Sequence, residues 1–123
     1  MTAKIGTIGW IDMTVQNASE LRDFYTAVVG WDVEDTRMGD YSDFTMKSPD
    51  SGDAISGICH ARGSNADLPG GWLIYITVAD VDESAAACLS RGGKLLIEPR
   101  ALAGGRFCVI EDPSGATAAL YQP

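Results

Sequence analysis

The sequence predicts an α+β fold made of two βαβββ modules that form a cupped eight-stranded mixed sheet, a partial barrel with its helices outside. Three observations carry this: a self-similarity at one fixed shift, a change from helical to alternating apolar period within each half, and turn residues that punctuate both halves. Val15 precedes Gln16-Asn17-Ala18-Ser19-Glu20, and Val78, 63 positions later, precedes Ala79-Asp80-Val81-Asp82-Glu83. The same shift carries Asn17 onto Asp80, Glu20 onto Glu83 and Gly30 onto Gly93.

Each matched stretch reads as a helix start. An Asn or Asp side chain accepts from the free amides of a first turn, and a Glu three residues on reaches back as a capping box. Leu21, Phe24, Tyr25 and Val28 then give the first helix an apolar stripe, and Val81, Ala85, Cys88 and Leu89 give the second a similar one. Gly30 and the Gly92-Gly93 pair end the two helices. Around them, strands are expected at residues 5–15, 31–37, 41–47 and 54–60, then at 72–78, 94–97, 106–111 and 117–121. Gly39-Asp40, Pro49 to Gly52, Gly104-Gly105 and Asp112-Pro113-Ser114-Gly115 supply the turns.

A chain of 123 residues suits one domain with one shared core: module 1 spans about 1–60, a linker 61–71, and module 2 about 72–123. A four-stranded sheet carrying a single helix leaves one face bare. The two sheets therefore curl against each other or against a partner chain, and a cavity suited to a small molecule follows.

Composition narrows the partners. Nine basic against seventeen acidic residues leave a net charge of −8, and the basic residues are spread along the chain, so nucleic acid and anionic membranes are not expected. Apolar runs are too short to span a bilayer, and the opening residues lack a secretion-signal pattern. The three cysteines are odd in number and scattered, which points to a reducing compartment and a cytoplasmic location. Cys59, Cys88 and Cys108 read as plain core residues, and Asp112 before Pro113 as turn chemistry. The glycine pairs form no phosphate-binding pattern, and nothing in the chain resembles a serine nucleophile elbow.

The string from Val15 to Tyr25, followed by Gly30-Trp31, resembles the first-helix signature of vicinal oxygen chelate proteins, the glyoxalase, bleomycin-resistance and dioxygenase superfamily. Val78 to Asp82, Gly92-Gly93 and Asp112 to Gly115 resemble its second module. Trp10-Ile11-Asp12, Trp72 to Tyr75 and Gly105-Arg106-Phe107 are similar to a bacterial glyoxalase-like subfamily. The resemblance implies the βαβββ pair and a homodimer. It leaves the activity open among lyases, isomerases, ring-opening dioxygenases and drug-sequestering proteins.

Enzymes of that superfamily hold a divalent metal through His, Glu or Gln on the first, fourth, fifth and eighth strands. Carrying the pattern over places Trp10 on the first strand, Leu73 on the fifth and Ala119 on the eighth, and none of the three can coordinate a cation. No metal and no cofactor are expected.

Residues two apart share a strand face, so Trp10 joins Asp12, Leu73 joins Tyr75, and Thr117 joins Ala119 and Tyr121. If these sets face the cavity, its wall is aromatic with one carboxylate, Asp12, whose burial suits it to acid or base work or to a hydrogen bond with ligand. The structural alternative is that Asp12 ties the sheets in register. His60, the single histidine, ends the fourth strand as either a weaker catalytic candidate or a plain strand-end residue. The expected function is metal-independent binding of a small molecule. The competing readings are an enzyme that uses Asp12 with Tyr75 or His60 assisting, and a module serving only for interaction.

Overall fold

The structure, a computed structural model, describes residues 4–123; the first three residues, expected in module 1, lie outside the described residues. The elements run β1 Ile8–Val15, α1 Ala18–Val29, β2 Asp32–Arg37, β3 Ser42–Lys47, β4 Ala54–His60, β5 Trp72–Thr77, α2 Val81–Ser90, β6 Lys94–Leu102, β7 Gly105–Glu111 and β8 Thr117–Gln122. The βαβββ unit thus occurs twice, as the repeat predicts. The strands form a mixed sheet in the order β2-β3-β4-β1-β5-β8-β7-β6, with β1 parallel to β4 and β5 parallel to β8. A single 3-10 turn, Gly63–Asn65, interrupts the linker. No helix among the described residues is long and apolar enough to cross a membrane.

The chain divides into two compact units, Ile11–Trp72 and the residues up to Trp10 together with Leu73–Pro123. In the Ile11–Trp72 unit, Met13, Phe44, Met46 and Ile58 from the sheet bury against Ala18 of α1, with Leu21, Tyr25, Trp31 and Val33 packed around them. Trp72 closes the unit: its indole N–H donates to the Tyr25 hydroxyl at 3.1 Å, and its ring meets Trp31 edge-on at 6.1 Å. In the other unit, Val81 and Ala85 of α2 bury against Cys108 and Leu120, with Ile76, Val78, Leu95 and Ile110 completing the cluster.

Several local expectations are corrected. Asp80 caps α2 as expected, its carboxylate accepting from the amides of Asp82 and Glu83 at 3.0 and 3.1 Å. Asn17 occupies the same place before α1, but its side chain makes no capping bond, because its backbone sits at φ −104° and ψ 48°, outside the extended conformation that aims a cap at the first turn. The buried stripes are narrower than the apolar spacing predicts. Leu21 and Tyr25 pack, whereas Phe24 and Val28 are exposed, and Leu89 is exposed on α2.

Gly92 and Gly93 divide their work: Gly92 takes the left-handed turn at φ 92°, while at Gly93 a side chain would collide with the Cys88 sulfur and lie 3.0 Å from the Glu111 carbonyl. The sixth strand, expected at 94–97, continues to Leu102 through two register shifts, between Leu95 and Ile97 and between Ile97 and Arg100, the second of which spans Pro99. A proline without an N–H is tolerated there because β6 ends the strand order and has one unpaired side.

Candidate functional site

Strand phase decides which side chains turn away from each helix. In the Ile11–Trp72 unit, Met13, Phe44, Met46 and Ile58 mark the α1 side. The alternating positions Asp12 and Thr14 on β1, Asp43 and Thr45 on β3, and Gly57 and Cys59 on β4 therefore share the opposite face. The register agrees, pairing Asp12 with Gly57 and Thr14 with Cys59. This face is polar although much of it is shielded: Thr14 is 4% exposed and Asp43 6%. Buried polar groups are costly unless something hydrogen-bonds them, so a sheet face that retains them points to specific contacts.

Electrostatics tie the group together. The Cys59 thiol is pushed up to about 12, first by burial and then by the negative charges of Asp12 and Asp43, the latter also hydrogen-bonded to it. Cys59 is thus a neutral S–H at ordinary pH and no nucleophile. Asp43 also serves the end of β4. One of its oxygens, Oδ1, accepts the His60 backbone N–H at 2.8 Å and lies 3.3 Å from His60 Nδ1. A carboxylate only accepts, so the tautomer that completes this contact carries its proton on Nδ1.

His60 follows Ile58 in phase and so leaves the Asp12 face; its ring sits 5.4 Å from that of Tyr41 and 5.8 Å from that of Phe44. Arg62 stacks over Tyr41 at 4.0 Å, and Arg22 of α1 lies 4.7 Å from the Phe44 ring. Asp43 was not anticipated from the sequence. Its only signal there was alternation, Asp43 and Thr45 against Phe44 and Met46, which reads equally well as a solvated strand face.

The remaining sequence-predicted residues fall in the other unit. Ile76 and Leu120 mark the α2 side, so Leu73, Tyr75 and Thr77 on β5, and Thr117, Ala119 and Tyr121 on β8, share the face away from it. Tyr75 pairs with Ala119 and Thr77 with Tyr121, and Val109 and Phe107 of β7 extend the same face. It is mostly apolar and tightly buried, with Leu73 at 3%, Tyr75 at 7% and Ala119 fully enclosed. The Tyr121 hydroxyl is committed to the Ala103 carbonyl at 2.9 Å, holding the β6–β7 hairpin tip. Trp10, half-buried on β1, belongs to this unit, whereas Asp12 and His60 belong to the first.

The donors do not suit the divalent cation that the family resemblance implies. Indole, isobutyl and methyl side chains stand at Trp10, Leu73 and Ala119, and among the described residues no three His, Cys, Asp or Glu gather in a metal-holding group.

Comparison with known proteins agrees with this architecture. The family model described as Glyoxalase/Bleomycin resistance protein/Dioxygenase superfamily matches residues 7–120. A protein of Mycobacterium tuberculosis named as the glyoxylase CFP32 is 31% identical over 95% of this chain, and the anthracycline biosynthesis protein DnrV of Streptomyces peucetius is 26% identical over 95%. The chain spans about half the length of these relatives, 46% and 47%. Among solved structures, a Streptomyces coelicolor methylmalonyl-CoA epimerase in complex with 2-nitronate-propionyl-CoA superposes with a TM-score of 0.58 at 22% identity, covering 97% of this chain and 95% of that one. A methylmalonyl-CoA epimerase of Mycobacterium tuberculosis gives 0.54 at 20% identity, covering 100% and 93%. With the repeated βαβββ unit, the strand order and a family match over nearly its whole length, the chain belongs to the glyoxalase, bleomycin-resistance and dioxygenase superfamily.

Proposed function

We propose that this protein binds a small organic molecule without a metal, using the polar sheet face of Asp12, Thr14, Asp43 and Cys59 for hydrogen bonds. The observation that carries the reading is the side-chain chemistry at Trp10, Leu73 and Ala119, which offers a cation nothing, while carboxylates persist on a largely shielded face nearby in sequence. Relatives named for glyoxylase and for anthracycline biosynthesis fit small organic ligands, and the charge of −8 disfavours polyanions. A homodimer is part of this reading, tested by sedimentation.

The test is metal analysis after exposure to manganese, nickel, zinc and iron salts and gel filtration, together with mass spectrometry of small molecules that copurify. Metal far below one ion per chain is expected, with an organic species retained. A tightly held stoichiometric ion overturns the reading.

A second reading, an enzyme with Asp12 as acid or base, is favoured by the half-buried position of Asp12 and by its charge acting on Cys59. Turnover unaffected by Asp12→Asn removes it.

A further inference from the structure

The end of β4 carries a second arrangement, distinct from the polar sheet face although Asp43 belongs to both. Asp43 is 6% exposed and places Oδ1 against both the backbone N–H and Nδ1 of His60. A buried carboxylate that fixes the ring this way does two things: it selects the Nδ1–H tautomer, and it leaves Nε2 with the lone pair. Tyr41 and Phe44 flank the ring and limit its rotation. Nε2 has no hydrogen-bond partner among the described residues and is not sealed from solvent, the side chain as a whole retaining 19% exposure.

The charges around it are Asp43 beneath, Arg62 over the Tyr41 ring, Arg22 over Phe44, and Asp40, which meets Arg62 at 3.5 Å. Arg62 and Asp40 are both well exposed, so that pair is weak and readily exchanged for another anion.

We propose that His60, oriented by Asp43, is a general base for small carbonyl compounds that carry a negative charge, with Arg62 attracting the charge. In the step tested, Nε2 removes a proton from a water molecule as the water oxygen bonds to an ester carbonyl carbon. The carbonyl re-forms with loss of the alcohol oxygen as its anion, and the imidazolium returns its proton to solvent. No oxidant or further reactant is needed. This goes beyond the binding reading and does not depend on it, since the probes report on His60 whether or not a ligand copurifies.

His60 is the single histidine, so imidazole signals belong to it alone. Long-range nitrogen–proton NMR at mildly alkaline pH is expected to show Nδ1–H with Nε2 bare; an Nε2–H tautomer overturns the proposal before any variant is made. Hydrolysis of para-nitrophenyl succinate is expected to exceed that of the neutral acetate ester. His60→Gln should reduce both to the buffer rate, and Asp43→Asn should slow both at least about tenfold. Arg62→Ala should remove the preference for succinate over acetate. If Asp43→Asn fails to fold, the wild-type tautomer and His60→Gln still decide the base. Rates unchanged in His60→Gln overturn the proposal, and a succinate preference that survives Arg62→Ala overturns the substrate class.

Discussion

The sheet faces turned away from the two helices differ more than the helices themselves. Away from α1 stand Asp12, Thr14, Asp43, Thr45 and Cys59; away from α2, at corresponding places in the second module, stand Leu73, Tyr75, Phe107, Val109 and Ala119. Both faces hold strongly shielded residues, yet one carries carboxylates and a thiol and the other mainly rings and aliphatic groups, with the Thr77 hydroxyl among them. A duplicated fold fixes where side chains point without fixing what they are. Here one copy carries carboxylates on this face and the other a mainly apolar surface.

The contrast can be attacked at its apolar end first. Phe107 is 1% exposed, and Phe107→Ala is expected to cost about 3–5 kcal/mol in chemical denaturation. A loss below about 1 kcal/mol would mean that the packing around Phe107 collapses freely into the space left.

The caps provide a finer probe of how far the copies have diverged. Asp80→Ala should cost about 1 kcal/mol, whereas Asn17→Ala should leave the unfolding midpoint in place, because Asn17 makes no side-chain capping bond. Equal losses would contradict the asymmetry between the two helix starts.

The smallest expected effect lies on the polar face. The Cys59 thiol is raised from 9.0 to about 12, so the unfolded chain gives up this proton before the folded one does. Stability contributed by Cys59 is present below pH 9 and is lost as the pH climbs toward about 12. Cys59→Ala should flatten that alkaline limb, measured by denaturant midpoints across the range. Asp12→Asn should raise the rate of Cys59 alkylation at a fixed alkaline pH, since it removes a charge that opposes the thiolate.

The sequence displayed the modules clearly because the repeat preserves features with strict backbone demands: the turn into each helix, the glycine after it and the alternation within strands. It was less informative where neighbours decide. Phe24 and Val28 match a helical stripe in spacing, yet α1 covers its sheet with Ala18, Leu21 and Tyr25. The extension of β6 past Ile97 depends on register shifts that accommodate Pro99, and these come from pairing with β7 rather than from local propensity. Asp12 was legible as an acid in an apolar strand. Asp43 was not, since only the fold brings it to Cys59 and His60 from another strand.

The indole of Trp72, bonded to Tyr25 and set edge-on to Trp31, has an optical consequence. Two of the three tryptophans stand 6.1 Å apart in a fixed, nearly perpendicular arrangement, close enough for their excited states to couple. The resulting circular-dichroism couplet disappears when that pair separates. The molecule thus carries an unlabelled spectroscopic gauge for the Ile11–Trp72 unit, able to reveal the melting of one half while the rest still holds.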